Sequence, residues 1–490
     1  MKKLIKYIWL AILAMGIVCC DPGDFDSDIT TNPNATTVPI TSNLLTNALR
    51  GIPGTITATQ GQLYVQYLAN SQYTSADTYQ TINFSYNGWY SGMLQDLETV
   101  IDLNTDEETK QIASANGSNA NQIAVAKILQ SFIYLHMTDR WGDIPYSEAL
   151  RNDEGILAPA FDTQQAVYNG IFSTLADAVN MMDGGAGVSG DILFGGDMDM
   201  WKKFANTARL VAALRLSNVD PSKGNSEFNA AISAGVIAAD NSENISYTHL
   251  EEANNENPWF SRFRTRRDYT VANTLVDYMQ STANGGTMDV AMDPRLPVFA
   301  DATESSNFTE YVGMTYGVSE AVAGSIDNSD VSFLGAAMRA QGAPTYIFTS
   351  AQVLFSMAEA VKLGWISGSA EQYYNDAIQA SLNQYGVGSE YATFITNSEV
   401  AYDDARALEQ IGNQKWVALF LNGYEAWAEW RRTGYPNLTP AIAAQNESGQ
   451  IPVREGYPTT EPNLNADNYA AVVARQGEDD LDTRIWWDTN

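Results

Sequence analysis

The chain has 490 residues, of which 45% are hydrophobic and 17% are charged, and this composition excludes disorder over most of its length. Its 58 acidic residues outnumber the 27 basic residues and give a net charge of −31, which argues against nucleic acid as a partner. Two cysteines and two histidines leave no disulfide framework and argue against zinc sites and against Cys-His or Ser-His-Asp catalysis.

Residues 1–19 are predicted to be a secretory signal peptide. Three lysines precede an uninterrupted apolar stretch at residues 7–18, which is too short to span a membrane. The stretch ends at Cys19 and Cys20, and a cysteine at this place resembles the lipobox cysteine of bacterial lipoproteins, whose thiol is lipidated after cleavage. We assign lipidation to Cys20. The alternatives are lipidation of Cys19 or an ordinary signal peptide with two incidental cysteines.

Residues 20–40 are interpreted as a lipid-anchored acidic linker that begins with DPGDFDSD at residues 21–28. A run of acid usually marks a solvated linker. Directly after a lipidated cysteine, it also resembles the export tag that sends some Bacteroidetes lipoproteins to the outer face of the outer membrane. No Pro/Ser linker or low-complexity run divides residues 41–490, which are therefore predicted to form a single domain.

The irregular stretch at residues 71–90 is the first candidate binding surface. Flat rings among amide and hydroxyl side chains suit a carbohydrate, and they also suit a peptide backbone. Trp89 and Tyr90 lie nearest the following helix and are predicted to be core. The predicted ligand contacts are Tyr73, Tyr79, Phe84 and Tyr86.

Helical periodicity dominates the segments that follow. In residues 121–137 apolar side chains recur at spacings that place them on one broad face, which predicts a core-facing helix. His136 falls on this helix and is predicted to be a hydrogen-bonded core residue. Similar patterns occupy residues 165–182 and 201–218.

Acidic residues are abundant, but no motif marks a catalytic pair. Glycoside hydrolysis needs only two carboxylates at a defined separation, so an unmarked pair stays open. The DMD sequence at residues 197–199 is interpreted as a solvated loop, with weak binding of a structural calcium ion as the alternative. No phosphate-binding glycine loop, dinucleotide fingerprint or EF-hand spacing is present, so no cofactor is predicted.

A second candidate surface combines aromatic and basic residues at NPWFSRFRTRRDY, residues 257–269. So much positive charge in one loop of an acidic protein indicates either an anionic or carboxyl-bearing ligand or a set of internal salt bridges. The predicted ligand contacts here are Trp259, Phe260, Arg264 and Arg266.

Residues 349–365 and 369–382 are predicted to be a pair of helices joined by a turn at residues 364–369. Small and aromatic side chains at their facing positions resemble the tetratricopeptide helix pair. Because strict repetition is absent, the repeats are called degenerate. The predicted fold class is mostly α.

The segment YEAWAEWRRTGYP near the C-terminus has an aromatic stripe at helical spacing. Tyr424, Trp427 and Trp430 are predicted to pack in the core, and Arg431 and Arg432 can pair with carboxylates.

Several stretches together resemble the SusD/RagB family of nutrient-binding outer-membrane lipoproteins, in particular its SusD-like 2 branch. They include DRWGDIPYSEAL (139–150), FGGDMDMWKKFANTARL (194–210), QKWVALFLNGYEAWAEWRRTGYP (414–436) and IPVREGYP (451–458). They follow the family's order and cover nearly the whole chain.

The resemblance implies a SusD-like scaffold of helix pairs with long irregular loops and few short strands on the ligand-binding side. It implies a non-catalytic lipoprotein, anchored to the outer membrane and facing the exterior. This protein would capture an oligosaccharide and act as the lid of a SusC-like TonB-dependent transporter. The alternatives are the same role with peptides, an outer-surface glycosidase, and a scaffold for envelope assembly.

Overall fold

Helices form the framework of the molecule in the computed structural model, which describes residues 39–490. The predicted signal peptide, Cys20 and most of the linker at residues 20–40 lie outside the described residues. Eleven of the described helices have at least eleven residues: α1 (Thr41–Ile56), α2 (Gln95–Thr105), α3 (Asn119–Trp141), α4 (Gln164–Met181), α5 (Met198–Arg215), α6 (Pro221–Ala234), α7 (Ser350–Lys362), α8 (Ala370–Gln384), α9 (Ala407–Ala418), α10 (Gly423–Thr433) and α11 (Ala466–Gln476).

Short helices and strands fill the segments between these helices. The short helices are Thr59–Tyr64, Asn87–Trp89, Lys110–Ala113, Pro258–Phe263, Asn273–Met279, Leu296–Phe299, Glu320–Ala323, Tyr391–Phe394 and Glu461–Leu464, with a π-helical turn at Tyr90–Leu94 and 3₁₀ turns at Ser114–Asn116, Thr282–Asn284, Asn328–Asp330 and Gly388–Glu390. The strands are β1 (Leu68–Asn70), β2 (Ile144–Pro145), β3 (Phe161–Asp162), β4 (Ile245–Tyr247), β5 (Tyr269–Val271) and β6 (Thr345–Phe348). The prediction of a mostly helical fold with few short strands is confirmed.

The longest helix, α3, has a sequence signal at each end. It begins after Ser118, whose hydroxyl oxygen accepts a hydrogen bond from the Asn121 N–H at 3.1 Å. It ends at Gly142, which adopts a φ of +80° that favours glycine and donates its N–H to the Thr138 carbonyl at 2.9 Å. Pro145 then prevents the helix from continuing. The turn after α3 therefore follows directly from the sequence.

Helices that follow one another in sequence pack in pairs, namely α3 with α4, α5 with α6, and α7 with α8. In the last pair Tyr374, Ala377 and Ile378 of α8 are fully buried in one cluster with Phe355 of α7. The turn between them contains Gly364 at a φ of +73°. The predicted helix pair, with small and aromatic residues at its interface, is confirmed.

The two arginines at the end of α10 are buried and differ in their partners. Arg432 forms ion pairs with Glu359 and Glu429, as predicted. Arg431 instead donates to the main-chain carbonyls of Val453 at 2.9 Å and Asp139 at 2.6 Å. It also lies 3.6 Å from the centre of the Trp427 ring. In the aromatic stripe of α10, Tyr424 and Trp427 are buried as predicted, and Trp430 is partly buried against the same cluster. One of the two arginines stabilises the main chain of other segments.

Three two-stranded antiparallel sheets connect segments that are distant in sequence. β1 pairs with β5 in the register Leu68 with Val271 and Asn70 with Tyr269. β2 pairs with β3, and β4 with β6. Residues 41–490 pack as one compact unit. Among the helices described in residues 39–490, none combines the length and the apolar character needed to cross a membrane.

Candidate ligand-binding site

A cleft of about 770 Å³ lies where α1, the turn around Trp89 and the segment after β4 meet. Its wall combines two large rings, the partly exposed Trp89 and the buried Tyr247, with amide, guanidinium, carboxylate and imidazole groups. The residues that carry this chemistry are Asn47, Arg50, Trp89, His249, Asn255 and Glu256. The cleft is large enough for several rings of a small polymer.

Trp89 is held at the cleft by the core behind it. Its ring makes an edge contact with the Trp141 ring, with 5.8 Å between centroids, and the Arg140 guanidinium carbon lies 5.1 Å from its centre. The side chain is only partly buried. Gly88 and Gly92 also line the cleft. A Cβ atom placed on either glycine would have no other atom within 4 Å. The absence of side chains at these two positions leaves open space beside Trp89.

The polar side of the cleft is fixed by hydrogen bonds. Arg50 donates to the Asn254 carbonyl at 2.8 Å. Glu256 accepts from Arg264 in an ion pair and from the Gln341 side chain at 3.2 Å. Burial lowers the pKa of His249, whose Nε2 lies 2.9 Å from the Thr345 hydroxyl. The cleft therefore offers donors and acceptors with little net charge.

The structure brings two of the predicted contacts together. Tyr73 is 54% exposed, and the Arg266 guanidinium carbon lies 4.7 Å from the centre of its ring. The pairing of β1 with β5 continues beyond the strands, because the Ser71 N–H donates to the Asp268 carbonyl at 2.9 Å. This contact places the two candidate loops side by side.

Three of the predicted ligand contacts are buried instead: Tyr79, Tyr86 and Trp259 are each 1% exposed. The prediction that these three rings contact ligand is therefore wrong. The Tyr79 hydroxyl accepts from the Ala441 N–H at 3.1 Å, and the Tyr86 hydroxyl donates to Glu461 at 3.1 Å. Trp259 packs edge-on against the Tyr269 ring at 5.5 Å. In an irregular segment no periodicity distinguishes inward from outward side chains, and large rings gain most from burial.

Phe84 and Phe260 are partly buried. Phe84 packs between the two larger hydrophobic clusters, and its N–H donates to the Gly456 carbonyl at 3.0 Å. Phe260 has the Arg264 guanidinium carbon 5.9 Å from its ring centre. Their rings are less open to a ligand than that of Tyr73.

The arginines of the 257–269 loop mainly form internal salt bridges. Of the two interpretations of this positive charge, an anionic ligand or internal salt bridges, the structure supports the second. Arg264 pairs with Glu256, Arg266 with Asp268 at 2.6 Å, and Arg267 with Glu304 at 3.0 Å. Arg262 has no carboxylate partner among the described residues and lies over the Trp259 ring at 4.5 Å, where burial lowers its pKa. The loop therefore presents little free positive charge.

Sequence reasoning missed all six of the cleft residues named above, among them Trp89, Arg50 and His249. Trp89 was predicted to be core because of its place before a helix. The glycines on both sides of it, Gly88 and Gly92, are the sequence signal that could have shown an uncovered ring.

His136 packs among aromatic rings as predicted, but it is only partly buried and its Nε2 has no hydrogen-bond partner among the described residues, so the predicted hydrogen bond of this atom is not found. Its ring centroid lies 6.0 Å from Phe132 and 5.9 Å from Tyr424, and burial with the nearby Arg140 charge lowers the pKa of His136 to about 3. The imidazole is neutral at physiological pH.

Asp197, the first residue of the DMD sequence, caps α5. Its carboxylate accepts from the N–H groups of Asp199 at 2.9 Å and Met200 at 3.2 Å, and Asp199 pairs with Lys202. Within residues 39–490, no three His, Cys, Asp or Glu side chains are grouped as a metal site. The calcium ion stays a prediction.

Comparison with known proteins gives a family and a set of related folds. A family model described as "Starch-binding associating with outer membrane" matches residues 33–458. A solved chitin-binding protein is 26% identical, with 92% of this chain and 100% of that chain covered and a TM-score of 0.78.

Two further solved structures show the same fold. A chitin-binding SusD homolog from Flavobacterium johnsoniae is 24% identical, with 92% and 99% of the chains covered and a TM-score of 0.73. A SusD homolog from Parabacteroides distasonis is 23% identical, with 92% and 98% covered and a TM-score of 0.78. No relative of the chain is found among curated proteins.

Proposed function

Because the chain belongs to the SusD-like 2 family of starch-binding proteins associated with the outer membrane, we propose that it captures a neutral oligosaccharide in the Trp89 cleft. The observation that carries the proposal is one partly exposed indole in a cleft of about 770 Å³ whose other walls carry amides, the paired carboxylate of Glu256 and the hydrogen-bonded guanidinium of Arg50. Sugar rings stack their C–H faces on such an indole, and their hydroxyls take the polar groups.

The charge of the site supports a neutral ligand. Glu256 is paired with Arg264, and burial lowers the pKa of His249, which favours the neutral imidazole. An anionic ligand would find no free cation except Arg50, which already donates to a carbonyl. A peptide is the alternative, because the same amides and ring also suit a peptide backbone.

The first saccharide to test is a chito-oligosaccharide. The solved protein that is 26% identical to this chain is named for chitin binding. The family description names starch, so malto-oligosaccharides form the second series.

The role we propose is binding without turnover. Among the described residues that line the cleft, Glu256 is the only carboxylate. A glycosidase of the common type needs a second carboxylate across the bond that is cleaved.

The family also supports a proposal for the place of the protein in the cell. Lipidation at Cys20 would anchor it to the outer membrane, with the binding side facing the exterior. Captured saccharide would pass to a SusC-like TonB-dependent transporter, on which the chain acts as a lid. Co-purification of a transporter with the protein from native membranes, and loss of saccharide uptake in cells that carry only Trp89→Ala, would support this step.

Binding is tested by isothermal titration of the purified protein, with Cys19→Ser and Cys20→Ser to prevent lipidation. The titrants are chito-oligosaccharides, malto-oligosaccharides and short peptides. We expect one saccharide series to bind and Trp89→Ala to abolish binding. The matched control is Trp365→Ala, because Trp365 is also partly buried but packs on Phe228 away from the cleft. Binding of peptides alone, or equal binding by Trp89→Ala and wild type, would overturn the proposal.

A further inference from the structure

Two aromatic rings outside the cleft are largely exposed. In the part of the chain that the structure describes, Phe308 and Tyr73 are the most exposed aromatic residues, at 68% and 54%. More than half of each ring is exposed, so each buries little surface within the chain and contributes little to its folding. Their position needs another explanation.

The two rings belong to one continuous surface. The Ser71 hydroxyl donates to the Arg267 carbonyl at 3.3 Å, next to the loop that carries Tyr73. Arg267 in turn donates to Glu304 at 3.0 Å, in the loop that carries Phe308. We call the surface formed by Tyr73, Arg266, Arg267, Glu304 and Phe308 the loop surface.

Phe308 is held in solvent by its backbone. Asn307 and Phe308 have φ angles of 54° and 63°, a left-handed conformation that is unfavourable for a bulky side chain. Hydrogen bonds fix this loop: Thr303 donates its N–H to the Glu310 carbonyl at 2.8 Å, and Phe308 donates to the Thr303 carbonyl at 3.0 Å. The fold therefore maintains an unfavourable conformation that keeps this ring outside the core.

The polar groups around the rings form closed ion pairs. Arg266 pairs with Asp268 at 2.6 Å and Arg267 with Glu304 at 3.0 Å. The side chains of Arg266, Arg267 and Glu304 are each at least 46% exposed, whereas that of Asp268 is 21% exposed. Such pairs leave hydrogen-bond donors and acceptors available to solvent, and the two opposite charges of each pair cancel. The loop surface therefore suits a neutral ligand with hydroxyl groups better than an anion.

The loop surface is separate from the cleft but connected to it by one helix. Pro258 lines the cleft, and the helix Pro258–Phe263 ends three residues before Arg266. A helix of six residues spans about 9 Å. This helix links the two surfaces along the chain, since Pro258 lines the cleft and Arg266, just after the helix, contacts Tyr73.

We propose that the loop surface is a second saccharide contact, which holds the part of a long neutral oligosaccharide that extends from the Trp89 cleft. The rings of Tyr73 and Phe308 stack on sugar rings, and the arginine–carboxylate pairs bind their hydroxyls. This inference rests on the proposed function, because the same ligand must occupy the cleft.

The test compares short and long saccharides by isothermal titration. The purified protein is titrated with N,N′-diacetylchitobiose, chitohexaose, maltose and maltohexaose. We expect the double variant Tyr73→Ala, Phe308→Ala to bind the disaccharide as wild type does and to bind the hexasaccharide about tenfold more weakly. Trp89→Ala should lose both ligands. The variant Tyr73→Phe, Phe308→Tyr should keep the affinity for the hexasaccharide, because an aromatic ring that can stack on a sugar remains at both positions.

Two failures are distinguishable. If wild type binds a disaccharide and the double variant binds the hexasaccharide with unchanged affinity, the loop surface is not a saccharide contact and the proposed function stands. If wild type binds none of the four saccharides, the proposed function and this inference both fail. Thermal unfolding of each variant confirms that the exposed substitutions leave the fold intact.

Discussion

The Arg266 guanidinium covers one side of the Tyr73 ring, at 4.7 Å from its centre, although the two residues come from loops that are far apart in sequence. The contact exists because β1 pairs with β5. The loop after β1 is also fixed from inside by Asp77, whose carboxylate accepts the Asn70 N–H at 2.7 Å. The position of Tyr73 therefore depends on a buried acid.

Asp77 should make the stability of the protein depend on pH. Burial raises the pKa of Asp77 from 3.8 to about 7, so the folded state holds this proton more tightly than the unfolded state does. The resulting stabilisation is complete below the unfolded pKa and is lost as the pH rises through about 7. Between about pH 5 and about pH 8 we expect the free energy of unfolding to fall by about 3 kcal/mol relative to Asp77→Asn.

Urea unfolding of both proteins across this range is the measurement. Asp77→Asn keeps an oxygen for the Asn70 N–H and does not titrate, so it is the matched control. Parallel pH profiles for the two proteins would show that Asp77 is ionised in the folded state.

The buried ion pair between α7 and α10 should matter more for stability than an exposed pair. Glu359 accepts from two nitrogens of Arg432, one at 2.8 Å, and both side chains are at most 6% exposed. Glu359→Gln removes one of the two carboxylates that pair with the buried Arg432 guanidinium and leaves it with Glu429 alone. We expect a loss of about 3 kcal/mol in the free energy of unfolding.

The control is Glu107→Gln, which removes an ion pair with Lys110 at the surface, where Glu107 is 84% exposed. Its expected effect is below about 1 kcal/mol. Denaturant unfolding at one pH compares the two variants, and equal losses would contradict a structural role of the buried pair.

Much of the helical framework, but not the site, could be predicted from the sequence. The predicted pattern at residues 121–137 falls within α3, whose Ser118 cap and Gly142 end are visible in the sequence. Tyr79 and Tyr86 could not be distinguished from Tyr73, because no helical or strand period orders that segment. The contact between Tyr73 and Arg266 depends on the pairing of two strands of three residues each. Strands this short show no recognisable alternation of apolar and polar residues in the sequence.

A side chain placed inside the cleft should block the ligand without harming the fold. Gly54 lies in α1 and lines the cleft. A Cβ atom placed on this glycine would have no other atom within 4 Å. Gly54→Phe should weaken saccharide binding at least about tenfold, because the new ring occupies the ligand's space. Gly54→Ala should bind normally and gain about 0.5–1 kcal/mol of stability, since glycine is unfavourable within a helix.

Titration calorimetry gives the affinity and thermal unfolding gives the stability of both variants. Normal binding by Gly54→Phe would place the ligand outside this cleft.

The salt dependence of saccharide binding should show whether the arginines of the 257–269 loop contribute charge to binding. Arg264, Arg266 and Arg267 each have a carboxylate partner, so a neutral saccharide releases no bound ions when it binds. We expect its affinity to change less than about twofold between about 50 mM and about 500 mM sodium chloride. The double variant Arg266→Gln, Asp268→Asn is the matched control, because it removes one ion pair and keeps the net charge. If the affinity of wild type for the saccharide falls about tenfold over this range while the control is insensitive to salt, the Arg266 charge contributes to binding and its pairing with Asp268 does not neutralise it.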